Sequence, residues 1–345
     1  MSTMRAVLVK DGKGPIENLY IGETEKPVPQ DGQVLVKIAA FGVNRMDQSQ
    51  REGFYPPPPG ASSILGVEFS GHVVQVAPGI TKWSLGDQVF GLAGGGAYAE
   101  YIACHQDLLM KKPPHLSWVE AASIPENYIT AYQALVKYGQ VKQGDDVLVH
   151  AGASGVGIAA IQIARFFGAK TVTATASTKE KLDWLLSMPN GATHAVNYKT
   201  EDFAVKVKET TNGRGVHVVI DFVGKTHWAK NIDSLAIDGR MTILALLSGN
   251  EVPSVNLGPI LYKRLKIQGS TLRSRSLEYQ AGLIGGYVLR VPSNLVSIVD
   301  KITNAGGSGP IRTYVHKVYP WTEIQGAHRE MAENKNSGKI IVTVS

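Results

Sequence analysis

A single cysteine, Cys104, occurs among the 345 residues of the chain. One cysteine excludes an intrachain disulfide framework and every zinc or iron–sulfur site that is built from several thiolates. A lone cysteine is usually a small apolar core residue, so we expect Cys104 to be structural rather than nucleophilic. The shortage of cysteine also fits a reducing compartment, and the predicted location is the cytoplasm.

Long apolar runs and blocks of like charge are missing too. No stretch reaches the ~18 apolar residues that a membrane span requires, and the segment before Lys10 is too short for the apolar core of a signal peptide. The net charge is +6, but the basic residues are scattered and never form a run of five. This charge favours acidic ligands such as phosphates, whereas it gives only weak support to nucleic-acid binding.

Glycine, by contrast, is plentiful, since the chain has 37 glycines and the usual share is only ~7% of residues. No Gly-X-Y repeat or low-complexity tract accounts for the excess, so the glycines are expected at tight turns and close backbone approaches. Hydrophobic residues make up 43% of the chain and charged residues 19%, which is typical of packed globular domains. At ~150 residues per domain, the length predicts two domains.

The first 125 residues read as short β segments that are separated by glycine and proline. The run from Gly53 to Gly60 holds consecutive prolines, which neither a helix nor a central strand tolerates. A capping box of Ser117 and Glu120 predicts the start of a helix, and Pro125 is expected to interrupt that helix. We therefore predict a β-rich, barrel-like domain. The predicted strands are Ala6–Val9, Val34–Phe41, His72–Ala77, Gln88–Leu92 and Tyr98–Ala103.

From about Asp145 onward, strands and helices alternate. Such alternation predicts a doubly wound parallel sheet, and six strands complete a dinucleotide-binding domain. The predicted strands are Val147–His150, Thr171–Ala176, Ala195–Tyr198, Val216–Asp221, Met241–Leu247 and Lys266–Gly269. The predicted helices are Gly155–Phe167, Thr178–Leu186, Asp202–Thr210 and Trp228–Leu235.

After about residue 275 the alternation weakens. Two helical stretches, a glycine-rich turn at 306–310, a strand near Tyr314–Tyr319, a helix capped at Thr322 and a final strand at Lys339–Val344 are expected. We interpret this tail as returning to the first domain, so that the α/β unit is an insertion. The predicted domains are residues 1–125 with 271–345, and residues 126–270.

The strongest motif is VLVHAGASGVG at residues 147–157. A buried strand runs into a turn that contains Gly152, Gly155 and Gly157, and a helix begins behind it. Glycine lets the backbone approach a pyrophosphate, and the helix N-terminus offers N–H groups and the positive end of a dipole. The spacing is Gly-x-x-Gly-x-Gly rather than Gly-x-Gly-x-x-Gly, but the strand, helix and βα repeats stand where a cofactor site needs them. The alternative is a tight turn without a ligand.

An acidic residue is missing where NAD sites usually carry one, at the end of the second strand and about 20 residues past the glycines. The chain has TASTKEK at residues 175–181 instead. Ser177 can hydrogen-bond a 2′-phosphate and Lys181 can neutralise it, which predicts NADPH rather than NADH. Ser177 and Glu180 also read as a helix capping box, a role compatible with phosphate binding, and Lys181 can equally be a solvated surface residue.

Further motifs accompany this turn: VNRMD at 43–47, YPPPPG at 55–60, ILGVE at 64–68, GGAYAEY at 95–101, LRSR at 272–275 and NKNSGK at 334–339. Over nearly its whole length the chain resembles the zinc-free, NADPH-dependent quinone oxidoreductases of the medium-chain dehydrogenase/reductase superfamily. Within them it is most similar to the branch of the p53-inducible quinone oxidoreductase.

The resemblance implies an α/β fold in which a GroES-like β-rich catalytic domain carries an inserted Rossmann domain with a doubly wound, parallel six-stranded sheet. NADPH would lie in a cleft between the domains, and a homodimer would form through the edge of the Rossmann sheet. No zinc is implied, since Gly66-Val-Glu68 replaces the Gly-His-Glu of zinc-dependent members and His72 and His105 are predicted to be structural or surface residues. Hydride transfer would then rest on the cofactor and on positioning.

The resemblance also implies which residues bind the cofactor. The pyrophosphate is expected at Gly152, Ser154, Gly155, Val156 and Gly157, and the 2′-phosphate at Ser177, Lys181 and Tyr198. The adenine and ribose side is expected at Phe222, Val223, Gly224, Leu246, Leu247 and Ser248. The set is completed by Leu272, Arg273, Asn336 and Lys339, of which the last two would close over the cofactor. A loop at Met188–Asn190 is longer than the family pattern and puts the position of Tyr198 in question.

The candidate catalytic residues are Asn44, Asp47, Tyr55 and Thr130. Thr130 would lie near the nicotinamide, and Asn44 and Tyr55 can donate to a quinone oxygen as negative charge develops. The alternative is that Asn44 and Asp47 only fix a turn and that Tyr55 packs on the proline run. Quinones accept hydride readily, so a general acid is not required.

The predicted function is the NADPH-dependent reduction of a quinone without zinc or flavin. Reduction of activated alkenes, such as enones or enoyl thioesters, would use the same fold and hydride donor and stays open. An NADPH-binding RNA-binding or structural protein is permitted by the +6 charge. The sequence opposes this third possibility, because it has no basic run and no aromatic stacking platform.

Overall fold

The computed structural model describes residues 2–285, 301–304 and 306–344. Two compact units make up the chain. One, the β-rich unit, contains Met1–Ile129, Leu272–Ser308 and Arg312–Ser345, and the other, the Rossmann unit, contains Thr130–Thr271 and Gly309–Ile311. Among the described residues, no helix has the length and apolar character that crossing a membrane requires.

The N-terminal part of the β-rich unit consists mainly of strands. Its elements are β1 (Thr3–Val9), β2 (Leu19–Glu25), β3 (Gln33–Val43), α1 (Arg45–Arg51), β4 (Glu68–Val76), β5 (Gln88–Leu92), β6 (Tyr101–His105), β7 (Leu109–Lys111) and α2 (Trp118–Ala122). The capping box predicted at Ser117 and Glu120 is present and begins α2. Pro125 does more than interrupt this helix, because it occupies the first position of the next one, where a proline ring is tolerated.

The next segment alternates strands and helices. Its elements are α3 (Pro125–Tyr132), which continues as a π-helical turn at Gln133–Tyr138, β8 (Asp146–Val149), α4 (Gly155–Phe166), β9 (Thr171–Ala176), α5 (Lys179–Ser187), β10 (His194–Asn197), α6 (Phe203–Thr210), β11 (Val216–Asp221), α7 (Trp228–Ser234), β12 (Leu235–Ile243), α8 (Gly258–Tyr262) and β13 (Lys266–Gly269). Every residue of β8 and β9 is buried, as in central strands that are covered on both faces.

Within the described residues, six strands form one parallel sheet in the order β10-β9-β8-β11-β12-β13. In register, Leu148 of β8 lies between Thr173 of β9 and Val219 of β11. The chain order reverses at β8, and in open parallel sheets ligands bind at such a switch point, beyond the carboxyl ends of the strands. The predicted α/β fold with a six-stranded Rossmann sheet is confirmed.

The tail contains α9 (Leu277–Gly285), β14 (Ile302–Thr303), β15 (Ile311–Arg312), β16 (Val315–Pro320), α10 (Ile324–Ala332) and β17 (Lys339–Thr343). In the described part of the β-rich unit, the larger sheet has the order β16-β17-β3-β4-β5-β7, and β6 also pairs with β3. The tail therefore returns to this unit, because β17 pairs with β3. The second helical stretch predicted for the tail lies outside the described residues.

The structure corrects local predictions at Met241, Thr322 and Tyr98. The strand predicted at Met241–Leu247 begins at Leu235, because the Asp238-Gly239 pair, which reads as a turn, is carried through β12 at a register irregularity. Thr322 does not cap a helix, since a 3-10 turn occupies Trp321–Glu323 and α10 begins at Ile324 without a side-chain cap. The strand predicted from Tyr98 begins only at Tyr101.

Candidate active site

The turn between β8 and α4 has the form of a phosphate-binding turn. Ser154 is the N-cap of α4, and its Oγ accepts a hydrogen bond of 3.0 Å from the N–H of Gly157. The first N–H groups of a helix have no intrahelical acceptor, and the helix dipole makes this end positive. An anion such as a pyrophosphate is therefore favoured in front of Gly155 and Val156.

Close packing around two glycines shapes this turn. A Cβ atom on Gly157 would lie 2.4 Å from the carbonyl oxygen of Ala151, and one on Gly152 would lie 2.9 Å from the Cβ of Ala174. Ala151 itself has a φ of +46°, a left-handed conformation that costs free energy for a residue other than glycine. Strain at this position and the absence of side chains inside the turn fit a dinucleotide that lies against the backbone.

The end of β9 is polar but carries no carboxylate at residues 177–179. Thr178, and not Ser177 as predicted, is the N-cap of α5, and its Oγ1 accepts from the N–H of Lys181 at 3.4 Å. The cap lies one residue later than predicted because Ser177 and Thr178 are adjacent hydroxyl residues, either of which can cap a helix. Ser177 is half-buried between the strand and the helix start, and the side chain of Lys181 is also half-buried.

Tyr198 directly follows β10, and its N–H donates to the carbonyl oxygen of Ala176 at 3.3 Å. Asn197 is the register partner of Ala176, so Ser177 and Tyr198 start from neighbouring strand ends. The long loop leaves this register intact. Within the loop, Asn190 takes a φ of +52° and its Nδ2 donates to the carbonyl oxygen of Pro310 at 2.8 Å. The structure thus places the predicted 2′-phosphate residues at one edge of the sheet.

The segments after β11 and β12 are hydrogen-bonded to each other. Ser248 donates to the carbonyl oxygen of Val223 through its N–H (2.8 Å) and its Oγ (2.7 Å), and the N–H of Leu247 donates to Phe222 at 3.1 Å. Gly224, with a φ of +79°, lies so close to Leu246 that a Cβ would approach its Cδ2 to 2.8 Å. The predicted adenine and ribose residues are therefore neighbours.

A buried histidine that the motifs do not reveal lies beside these strand ends. The His150 ring bridges Thr175 Oγ1 at 3.0 Å and Asn231 Oδ1 at 2.7 Å, and burial lowers its pKa to about 3. His227 packs edge-on against it and also has a pKa lowered by burial, to about 4. Both rings are therefore neutral and hold strands β8, β9 and helix α7 together. The predicted Thr130 is half-buried on α3.

In the β-rich unit, a buried ion pair joins three elements. Lys339 of β17 places its Nζ 2.5 Å from Glu68 Oε1 and 2.5 Å from Asn44 Oδ1. The Nδ2 of Asn44 donates to Glu68 Oε1 at 2.9 Å, and the other oxygen of Glu68 accepts from the N–H of Glu126. Since an amide nitrogen carries two hydrogens, one N–H of Asn44 is left for a further acceptor. Sequence reasoning missed Glu68 as a partner, although the ILGVE motif contains it.

Asp47 is fully buried at the start of α1. Its Oδ2 accepts from the N–H of Asn44 at 2.8 Å and from the hydroxyl of Tyr98 at 3.1 Å, whereas its Oδ1 has no hydrogen-bond partner in the described part of the chain. Burial raises the pKa of Asp47 to about 6. The hydrogen bond to Asn44 supports the turn-fixing role that was the alternative to catalysis.

A directed hydrogen-bond chain leads from the surface to Asp47. Arg51 Nη1 lies 2.9 Å from His328 Nδ1, and the other ring nitrogen lies 3.2 Å from the hydroxyl of Tyr98. Because arginine can only donate, His328 Nδ1 accepts, and its Nε2 carries the proton that it donates to Tyr98. Burial lowers the pKa of His328 to about 3, so the ring is neutral. Arg51 also pairs with the more exposed Glu52. No motif points to His328.

The remaining predicted residues also lie in the β-rich unit. The Arg273 guanidinium stands over the ring of Tyr55, with 5.7 Å from its Cζ to the ring centroid. Leu272 is buried, and Asn336 donates from Nδ2 to the carbonyl oxygen of Gly338 at 2.8 Å. Leu272, Arg273, Asn336 and Lys339 are thus the predicted cofactor residues of this unit, and the others belong to the Rossmann unit.

A search for metal ligands among the described residues finds no group of three or more histidine, cysteine, aspartate or glutamate side chains that could hold a metal ion. His72 packs against Trp118, and His105 Nδ1 accepts from the N–H of Asp107. Burial raises the pKa of the Cys104 thiol to about 12, and Sγ donates to Leu92. These contacts are structural. Zinc independence of the activity stays a prediction.

A cavity of about 430 Å³ lies elsewhere in the β-rich unit. Its lining includes Glu25, Gln33, Ser62, Tyr101 and Cys104. The polar cluster around Asn44, described above, does not border this cavity. Since none of the residues that line it carries an unpartnered buried polar atom among the described residues, the hydrogen-bonding pattern favours the polar cluster as the site of chemistry.

Comparisons with known proteins agree with this division. Residues 30–114 match the alcohol dehydrogenase GroES-like domain, and residues 155–284 match the domain described as zinc-binding dehydrogenase. The chain is 29% identical to human quinone oxidoreductase over 345 residues, covering 98% of this chain and 97% of that protein. It is 30% identical to the human synaptic vesicle membrane protein VAT-1 homolog over 321 residues, covering 92% of this chain and 80% of that protein.

The chain belongs to the medium-chain dehydrogenase/reductase superfamily. Within it, the chain is quinone oxidoreductase-like, as the sequence predicted. It is therefore an oxidoreductase that depends on a pyridine nucleotide. Membership of the p53-inducible branch stays a prediction.

Solved structures of the superfamily share the fold. JamJ enoyl reductase has a TM-score of 0.83 at 26% identity, with full coverage of both chains. Mycobacterial Rv1454c, solved in complex with NADPH, has a TM-score of 0.82 at 30% identity, covering 99% of this chain and all of that one. An NAD-dependent alcohol dehydrogenase has a TM-score of 0.81 at 30% identity, covering 99% and 100%. These relatives differ in substrate and in cofactor.

Proposed function

We propose that the chain is an NADPH-dependent reductase of quinones that acts by direct hydride transfer, without zinc or flavin. The observation that carries this proposal is the Rossmann switch point, where a closely packed glycine turn meets a β9 end that offers hydroxyls and a lysine in place of a carboxylate. Such an end accepts a 2′-phosphate and lacks the acid that binds the ribose of NAD. The NADPH complex of Rv1454c supports the same cofactor.

The Rossmann unit holds and orients the cofactor. The start of α4 receives the pyrophosphate through its N–H groups, and Ser177, Lys181 and Tyr198 receive the 2′-phosphate. When bound, the nicotinamide supplies a hydride. The segments after β11 and β12, which are fixed to each other by hydrogen bonds, provide apolar side chains for the adenine side, because Leu246 and Leu247 are half-exposed.

The β-rich unit provides donors for the substrate. Asn44 is held by its bonds to Glu68 and Lys339 and keeps one N–H for a substrate oxygen. Tyr55 is half-buried, and burial raises the pKa of its phenol, so it stays neutral and can donate as well. Two such donors stabilise the negative charge that a quinone oxygen gains on reduction. Asp47 positions Asn44 through its backbone N–H.

A second candidate is the reduction of activated alkenes, either enones or enoyl thioesters. The similarity to JamJ enoyl reductase favours it. The same donors would serve an enone, because its carbonyl oxygen also becomes negative when a hydride arrives at the β carbon.

A steady-state screen tests both candidates. Purified protein would be assayed with NADPH and with NADH against ortho- and para-quinones, and against a series of enones with product analysis. We expect quinone reduction that is faster with NADPH. A protein that oxidises NADPH with no simple quinone would contradict the quinone proposal, and turnover of enones alone would establish the second candidate.

We also propose a homodimer through the edge of the Rossmann sheet. In the described residues, β13 pairs on one side only, with β12. In the segment that precedes β13 in the chain, Leu257, Leu261 and Tyr262 are between 68% and 79% exposed, and exposed apolar surface is typical of interfaces. Sedimentation is expected to give twice the 37.1 kDa mass of the chain, and Leu261→Glu is expected to give the monomer. A monomeric wild-type protein would contradict this.

A further inference from the structure

Among the described residues, the guanidinium of Arg273 has no acceptor for most of its hydrogens. The residue is only 5% exposed, and its Nε donates to the carbonyl oxygen of Gly94 at 2.8 Å. Nη1 and Nη2 are buried and have no hydrogen-bond partner among residues 2–285, 301–304 and 306–344. Arginine stays charged in proteins, and buried donors are almost always bonded. An acceptor from outside the described chain is therefore required.

The surroundings constrain the plane of the guanidinium. The bond from Nε to Gly94 holds one edge of the guanidinium plane, and the plane stands 5.7 Å from the Tyr55 ring centroid. A Cβ atom on Gly95 would lie 3.4 Å from Nη2 and 2.5 Å from the carbonyl oxygen of Ser62. Only a glycine backbone fits there, so the loop packs against the guanidinium without blocking it with a side chain.

The charges nearby restrict which acceptor fits. Asp47 and Glu126 both act electrostatically on Arg273, although burial is the main influence on its pKa, which it lowers. Two carboxyl groups would repel a ligand that carries a permanent negative charge. A neutral carbonyl oxygen avoids this repulsion on entry and still gains from the guanidinium once charge develops on it.

We propose that Nη1 and Nη2 of Arg273 donate to the substrate carbonyl oxygen that becomes an oxyanion during reduction. This makes Arg273 a catalytic residue that binds substrate, instead of the cofactor residue that the resemblance implies. The inference rests on the proposed function and names its substrate class. The substrate is a neutral compound whose carbonyl group is conjugated to the atom that accepts the hydride.

The electrons balance for both candidate substrates. A quinone gains the hydride with its electron pair and becomes a hydroquinone monoanion, and a proton from water completes the hydroquinone. An enone gains the hydride at the β carbon, the C=C electron pair moves to give an enolate oxygen, and water protonates the α carbon. In both cases NADPH becomes NADP⁺, and a single oxygen carries the charge that faces Arg273.

The test compares Arg273→Gln and Arg273→Lys with Arg275→Gln. Arg275 lies two residues away, is partly exposed and stands over the ring of Tyr279, so its removal changes the net charge equally. The probe is 4-nitrophenol, whose coloured phenolate reports its own ionisation, and it is titrated with excess protein, with and without NADP⁺. Parallel assays measure kcat/KM for a quinone and an enone, NADPH binding by fluorescence, and thermal unfolding.

We expect wild-type protein and Arg275→Gln to lower the pKa of bound 4-nitrophenol by about one unit, a tenfold preference for phenolate. Arg273→Gln should abolish this shift and lower kcat/KM by about 10²-fold or more with NADPH affinity unchanged. Arg273→Lys keeps the positive charge but lacks the paired N–H donors of a guanidinium, so it should keep only part of the pKa shift. It also serves as the second variant if Arg273→Gln does not fold.

Three results would overturn the inference. They are an unchanged phenolate shift in Arg273→Gln, no shift in the wild-type protein, or a loss confined to NADPH affinity. If no quinone or enone is reduced while the phenolate shift still depends on Arg273, the oxyanion site stands and the proposed function fails. The two failures are therefore distinguishable.

Discussion

The two units carry candidate site residues of opposite kinds. The Rossmann unit uses backbone, with a strained Ala151 and two glycines that leave no room for a side chain. The β-rich unit uses buried charge, with Lys339 and Glu68 at 4% and 0% side-chain exposure. One part is sensitive to shape and the other to charge, because a dinucleotide needs close backbone approach and a reducible carbonyl needs donors at one oxygen.

The difference also determines what each unit tolerates. A turn of backbone atoms is distorted when a methyl group is added, because the atoms around it are closely packed. A buried ion pair lowers the stability of the fold when one partner is removed, because the other is left as an uncompensated charge. Substitutions that change only charge in one unit and only shape in the other therefore separate these two sensitivities.

The largest effect is expected from Lys339→Met. Methionine keeps most of the volume but leaves the buried carboxylate of Glu68 unpaired, which should cost about 3–5 kcal/mol of unfolding free energy. Urea denaturation would measure it. The matched double variant, Lys339→Met with Glu68→Gln, removes the stranded charge and should recover a large part of the loss. Equal stability of the single and double variants would argue against a charge effect.

Gly157→Ala should act on the other unit by shape. The new methyl group would lie 2.4 Å from the Ala151 carbonyl oxygen, and overpacking of this kind costs about 1–3 kcal/mol. NADPH binding, measured by fluorescence titration, should weaken by roughly tenfold to a hundredfold. Gly269→Ala in the same unit is the control, because nothing lies within 4 Å of its added Cβ. If both variants bind alike, the turn does not hold the cofactor.

A fall in pH should destabilise the Rossmann unit more than the β-rich unit. In the Rossmann unit, burial lowers the pKa of His150 to about 3 and of His227 to about 4. In the unfolded chain these two histidines bind protons near pH 6.5. The stability gained while they are neutral is therefore complete above that pH. It is lost as the pH falls toward 3, by about 2 kcal/mol per histidine at pH 5.

Among its described residues, the β-rich unit has one such histidine, His328, with a pKa of about 3, and a carboxyl group of opposite sign, Asp47; burial also raises the pKa of Asp221 in the Rossmann unit. Burial raises the pKa of Asp47 to about 6, so the folded state binds the extra proton between pH 3.8 and 6 and the cost of burying this carboxylate falls with the pH. Hydrogen exchange at pH 7 and pH 5 should therefore show the larger loss of protection in strands β8 and β9. Equal losses in both units would contradict this expectation.

The smallest effect is expected from Lys181→Ala. Removing one partly exposed charge near the 2′-phosphate should reduce the preference for NADPH over NADH about tenfold, which corresponds to about 1.4 kcal/mol. The ratio of kcat/KM for the two cofactors measures it. Lys179→Ala, which removes a surface lysine paired with Asp183, should leave the ratio unchanged. A change in both variants would indicate a general charge effect.

Most of the Rossmann unit could be predicted from the sequence. Periodicity located Thr171–Ala176, Val216–Asp221 and Lys266–Gly269 with the bounds that the structure gives. The failures lie where a local signal competes with the sheet. Asp238-Gly239 is typical of a turn, yet it lies inside β12 at a register irregularity, between Leu235 and the paired residues Arg240–Ile243. The one-residue error at Ser177 arose because two adjacent hydroxyls can both cap a helix.

The sequence by itself determined the glycine turn, the βα series and the polar end of β9. All three depend on residues close together in the chain, where backbone geometry and helix capping act. Only the tertiary structure decided that Lys339 meets Glu68 and Asn44, that His328 links Arg51 to Tyr98, and that two nitrogens of Arg273 are buried without an acceptor in the described chain. These pairings join positions up to 295 residues apart, and only the packing of β17, α10 and β3 brings them together.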